Sequence, residues 1–127
     1  MGRCGMPHDL EALIDTYCAA WSDPDPDRRR ELLAGVWSND ATYTDPTVHA
    51  ASIGDLLAHI ATAAARRPGA RVIRTSRVDT HHDVARFAWR VVQADGTMLP
   101  EGIDFAEISR DGRIRRIVGF FGPLAKD

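Results

Sequence analysis

The sequence predicts an α+β domain in which three helices are followed by a run of antiparallel strands that wraps around them. Three observations carry this. Helical periodicity is confined to the first half, beginning with apolar residues at Leu10, Leu13, Ile14, Tyr17, Cys18 and Trp21. After Gly69 the texture changes to strand-like runs. The breaks between those runs include Asp95-Gly96 and Asp111-Gly112, both good hairpin turns.

A chain of 127 residues suits one domain and buries roughly two thirds of its unfolded surface in a single core. Residues 1–8 read as a flexible lead-in and 9–127 as the domain, without repeats or internal linkers. A hydrophobic content of 44% with 27% charged residues is ordinary for a globular protein and excludes a disordered one. The net charge of −2 gives no electrostatic reason to expect nucleic acid or an anionic membrane as partner. No apolar run approaches the roughly 20 residues of a membrane span. Cys4 and Cys18 are too few for a disulfide framework and lack metal-ligand spacing. A reduced, cytoplasmic protein is expected.

The first helix is predicted over His8–Trp21, ended by Ser22-Asp23-Pro24. Asp25 is a natural N-cap for a second helix with Pro26 at its first position, running to Val36 or Trp37. Its arginines Arg28 to Arg30 are expected to face water. A turn at Asn39-Asp40 leads to a short strand, Ala41–Asp45, stopped by Pro46, and then to a loop through His49. Ser52 and Asp55 form a capping pair for a third helix that ends at Pro68-Gly69. Strands follow over Arg71–Thr80, Val84–Ala94, Thr97–Ser109 and Arg113–Gly122. Alternation points Phe87, Trp89 and Val91 toward the helices and Arg86 and Arg90 away. In the last strand Ile117, Gly119 and Phe121 share one face, while Val118 and Phe120 share the other. Both faces there are apolar, so a homodimer through the outer face is expected.

Three polar residues stand where packing alone does not call for them. Tyr17 lies on the apolar stripe of the first helix. Asp45 ends the short strand before Pro46. Asp104 sits mid-strand between Ile103 and Phe105. A carboxyl group buried without a partner takes up a proton rather than stay charged.

The layout resembles the cone-shaped barrel of the nuclear transport factor 2 (NTF2)-like superfamily, which includes ketosteroid isomerases and SnoaL-type polyketide cyclases. The resemblance rests on the Tyr17 helix with Trp21, the segment Trp37–Pro46, Gly54, Gly102-Ile103-Asp104-Phe105 and the ending Gly112–Gly122. It implies three N-terminal helices packed in a curved, mixed, mainly antiparallel sheet. By resemblance to the ketosteroid isomerases, Asp45 is the base that moves a proton between carbons. Tyr17 and a protonated Asp104 are the donors to the developing enolate oxygen. Phe87, Trp89, Ile117 and Phe121 would form the dry wall of the pocket, with Trp37, Tyr43 and His59 as further substrate contacts. The chain departs from that family at Trp37 and Thr62, which stand opposite its hydroxyl-bearing aromatics, and in an insertion around Asp25 to Arg30.

The expected function is therefore cofactor-independent acid/base chemistry on a small apolar carbonyl compound. Isomerisation comes first, with cyclase or dehydratase chemistry as a variant. The alternative is a non-catalytic small-molecule-binding or dimerisation domain. His59 is a candidate second acid/base, and His49 reads as a solvated loop residue with a lid role as the alternative. His81 and His82 are expected on opposite faces of a hairpin, unable to share a metal. Arg66, Arg67, Arg71, Arg74 and Arg77 are expected to form a solvated face, part of it a dimer surface.

Overall fold

A computed structural model of the chain describes residues 7–126, with side chains described from residue 10. Cys4 and most of the lead-in lie outside the described residues. Helix α1 spans Pro7–Ser22, α2 Pro26–Val36 and α3 Ile53–Arg66. Strands β1 (Trp37–Asp45), β2 (Val48–Ala50), β3 (Arg71–Arg74), β4 (Asp79–His81), β5 (Val84–Val92), β6 (Gly102–Ile108) and β7 (Ile114–Phe121) form one sheet. Its order is β2-β1-β7-β6-β5-β3, with β4 also pairing β5. All pairings are antiparallel except β1 with β7, which is parallel. The sheet is mixed, mainly antiparallel, curved and open rather than closed into a barrel.

The helices form for the expected reasons. Asp25 caps α2 by accepting from the Asp27 N–H at 3.0 Å, with Pro26 at the first position. Ser52 accepts from the Asp55 N–H at 3.1 Å, and the Asp55 carboxylate accepts from Ala51 in return. Ile14, Tyr17, Leu33, Leu56 and Ile60 carry the helical stripes into one core with Phe87, Ile114 and Ile117 of the sheet. The end of α1 is tied to β3 at two points. Ser22 Oγ accepts from the Val72 N–H, and Arg74 grips Asp15 with two nitrogens, at 2.7 and 3.0 Å.

Four expectations are corrected. The first strand begins at Trp37, directly after α2, so Asn39-Asp40 lies within β1 rather than in a turn. The loop through His49 holds a strand, β2, folded back on β1 with Asp45 opposite Val48. The run Arg71–Thr80 is two strands, because Ser76 Oγ takes the Ala88 N–H and interrupts the ladder along β5. Arg29 is buried, not solvated. Its guanidinium donates to the carbonyls of Asp23 and Pro24 and so fastens the α1–α2 connection.

The strand faces follow the alternation. Ala85 and Phe87 point into the core while Arg86 is exposed. On β6, Gly102, Asp104 and Ala106 face inward, and Ile103 and Phe105 face out. His81 and His82 adjoin a tight turn in which His82 and Asp83 both have positive φ, and their rings meet, Nδ1 to Nδ1, at 3.2 Å. They do not point to opposite faces.

Candidate active site

Between α1, α3 and the concave face of the sheet lies a cavity of about 220 Å³. Of the residues singled out from the sequence, Tyr17, Tyr43, Asp45, His59, Phe87, Trp89, Asp104 and Phe121 line it. Trp37 and Ile117 do not. Trp37 stands behind Tyr17, the two rings stacked 6.0 Å apart, and Ile117 is core beneath the sheet, opposite Tyr43.

Asp104 is placed by two glycines. A Cβ on Gly119, its cross-strand partner, would come within 2.6 Å of Asp104 Oδ1. A Cβ on Gly102 would come within 2.4 Å of the Trp89 ring. Without those methyl groups the Trp89 ring lies across Gly102, and its indole N–H donates to Asp104 Oδ1 at 2.8 Å. Asp104 Oδ2 accepts no hydrogen bond among the described residues, although the residue is only 5% exposed. Burial raises the carboxyl pKa from 3.8 to about 7. The Trp89 hydrogen bond opposes that rise, and the charge of Asp45 adds to it. Ile103 and Phe105, its neighbours along the strand, face outward.

Asp45, also buried at 8% exposed, lives in a different environment. Thr47 N and Thr47 Oγ1 both donate to Oδ1 at 2.7 Å, and Tyr43 Oη donates to Oδ2 at 2.6 Å. His59 Nε2 stands 3.7 Å from the same Oδ2. Every one of the three hydrogen bonds ends on an acceptor, the part an ionised carboxylate plays. The Tyr43 hydroxyl, buried and facing two carboxylates, is held far above its ordinary pKa, so it stays a donor. Tyr17 is likewise held well above 10, by burial first and then by the nearby Tyr43 and Asp104.

Sequence reasoning did not find Thr47 as a holder of Asp45. The Asp-Pro-Thr turn carries the signal, because a turn-starting Asp accepts from the backbone two residues on. Cys18 also lines the cavity, and burial pushes its thiol up to about 12, which makes it a poor nucleophile. Arg66 and Arg67, expected on a solvated face, line the cavity as well. Among the described residues, no group of three or more His, Cys, Asp or Glu side chains is arranged to hold a metal ion.

An open curved sheet folded over three helices around one internal cavity is the architecture of the NTF2-like α+β proteins. Within that architecture, the chain belongs to the SnoaL-like family. It is 31% identical to the crystal structure of "a putative isomerase of the SnoaL-like family" from Agrobacterium tumefaciens, with a TM-score of 0.85 over 91% of this chain and 99% of that one. An NTF2-like protein of unknown function from Exiguobacterium sp. 255-15 shares the fold at 16% identity, with a TM-score of 0.70 over 88% of this chain and 99% of that chain. A polyketide cyclase candidate from Sinorhizobium meliloti shares it at 20% identity, with a TM-score of 0.68 over 90% and 98%. No protein-family model matches the sequence, and no curated protein matches it.

Proposed function

We propose that the cavity performs acid/base chemistry on a small carbonyl compound without a cofactor, moving a proton from a carbon beside the carbonyl. One observation carries the reading. Two buried carboxyl groups face one cavity in contrasting surroundings: Asp104 with a free oxygen and a pKa raised to about 7, Asp45 saturated by donors. An acid raised by burial beside a carboxyl group held as a hydrogen-bond acceptor is the pattern of a divided acid and base.

In this mechanism Asp45 takes the proton from the carbon. The electron pair moves to the carbonyl oxygen, where Tyr17 and the protonated Asp104 donate to the developing charge. Reprotonation at a different carbon completes an isomerisation. His59, beside Asp45 Oδ2, gives the proton a second carrier and favours cyclase or dehydratase chemistry where an oxygen must also be protonated. The apolar part of the wall, including Phe87, Trp89 and Phe121, keeps water from the enolate.

We also propose that the chain works as a homodimer in the cytoplasm. Phe105 and Phe120, 45% and 55% exposed, meet edge to face on the outside of the sheet, flanked by Ile103. The buried thiol of Cys18 is free.

The deciding test is deuterium exchange from a β,γ-unsaturated ketone or a small 1,3-diketone, followed by NMR. The wild-type protein should exchange the α-proton, and Asp45→Asn should lose exchange while still binding a phenol. Phenol binding with no exchange on any such ketone would instead make the domain a non-catalytic small-molecule binder.

A further inference from the structure

The cavity has a second end. Helix α3 forms one of its walls, and the α3 residues on the wall include His59, Thr62, Ala63 and Arg66. That is an i, i+3, i+4, i+7 stripe, one face of a helix. His59 stands beside Asp45 at the acidic end. Arg66 lies seven residues on, about 10 Å farther along the axis at 1.5 Å per residue. Arg67 caps the helix next to it, and both guanidinium groups are exposed.

Neither arginine makes a salt bridge or side-chain hydrogen bond among the described residues. Seven other arginines do pair with acids: Arg74 with Asp15, Arg77 with Glu11, Arg86 with Asp79, and Arg28, Arg113, Arg115 and Arg116 with theirs. A cation in the last turn of a helix answers the terminal carbonyls. That role does not require the side chain to continue the cavity stripe, and here it does.

From this geometry we infer that the ligand carries an anionic group, a carboxylate or phosphate, held by Arg66 and Arg67 about 10 Å from its reacting carbon. The inference rests on the acid/base reading of the cavity and names the substrate class within it. The enclosed volume of about 220 Å³ falls below the roughly 300–1,000 Å³ of pockets that engulf drug-sized ligands. A small reacting head therefore fills the interior, and the rest of the ligand extends along α3 to the arginines. The Asp45 carboxylate at the inner end repels an anion there, so the charge gradient along the cavity fixes which end of the ligand enters first.

The test uses 3-(4-hydroxyphenyl)propanoate and its uncharged amide, with 4-hydroxybenzoate as a shorter acid, titrated by calorimetry at low salt. The phenol oxygen occupies the Tyr17–Asp104 end, and the side chain points along α3. The propanoate should bind wild-type protein about tenfold more tightly than the amide, a preference that weakens with added salt. The Arg66→Ala/Arg67→Ala variant should lose the preference, Arg66→Lys/Arg67→Lys should regain part of it, and 4-hydroxybenzoate should show little of it. Equal binding of propanoate and amide to wild type overturns the anion site and leaves the acid/base cavity standing. Failure of both compounds to bind overturns both.

Discussion

The indole N–H of Trp89 reaches diagonally across the sheet to Asp104 Oδ1 at 2.8 Å. The bond is possible because Gly102, directly opposite Trp89, has no side chain. It fixes one oxygen of Asp104 and leaves the other for the cavity. It also restrains the carboxyl pKa, because a donor to the charged form favours ionisation. Replacing Trp89 with Phe should therefore move the Asp104 titration above about 7 while destabilising the fold by about 1–3 kcal/mol. Carbon-13 NMR of the carboxyl groups reads the shift directly, and a downward shift would contradict the assignment.

Asp104 also sets a pH dependence of stability. Its folded pKa, about 7, lies above the ordinary 3.8, so between those values the folded state keeps a proton that the unfolded chain releases. Stability should fall as pH rises through that window and level off above it, by an amount on the order of 4 kcal/mol at 1.36 kcal/mol per unit. Asp95 and Asp111 are lowered instead, so their contribution is lost only as pH falls below the ordinary carboxylate range. Urea unfolding of wild type and Asp104→Asn from pH 4.5 to 8 should show a slope in the first and a flatter line in the second. Parallel slopes would remove Asp104 as the source.

Gly119 separates the two acids. A Cβ there would meet Asp104 Oδ1 at 2.6 Å and Asp45 Cβ at 3.7 Å. Gly119→Ala should push the Asp104 carboxyl out of place at a cost of about 1–3 kcal/mol. Phenol binding should weaken at least tenfold in a protein that still unfolds cooperatively, as titration and thermal melting can show. Unchanged binding would mean that Asp104 does not hold the ligand oxygen.

On the outer face, Phe120 and Phe105 leave an aromatic pair in water. If that face joins two copies, Phe120→Glu should turn a dimer into a folded monomer in sedimentation equilibrium. A wild-type protein that sediments as a monomer at every concentration would retire the dimer.

Much of this was legible in the sequence because the informative residues break their own pattern. Tyr17 on an apolar helix stripe marks itself by period, Asp104 stands out as an acid between two large apolar neighbours, and the structure places both on the cavity. Other features carry no such mark. Three residues, Val48–Ala50, are too few to show alternation, so β2 read as loop. The division of Arg71–Thr80 depends on where one Ser76 hydroxyl points. Arg29 differs from Arg28 and Arg30 only in which side of α2 it occupies, where two carbonyls await it. For Arg66 and Arg67 a solvated face, part of it a dimer surface, was a sufficient explanation until the cavity appeared. For Asp104 the expected wall holds at Phe87, Trp89 and Phe121, which line the cavity with it, and not at Ile117.

The parallel pairing of β1 with β7 has a consequence for how the molecule assembles. Asp45 and Asp104 belong to strands that never touch; β7 lies between them, and it follows both in the chain. A polypeptide ending before Ile114 holds every residue of the acid/base pair yet has nothing to bring them together. Its β2–β1 hairpin and its β6-β5-β3 sheet would be two unjoined edges, open to pairing with other chains. The two acids are thus brought onto one cavity only when the final strand pairs with β1 on one side and β6 on the other, a non-local step of the kind that slows folding. A lesion that trims or loosens that strand would spare the helices and abolish the site at one stroke.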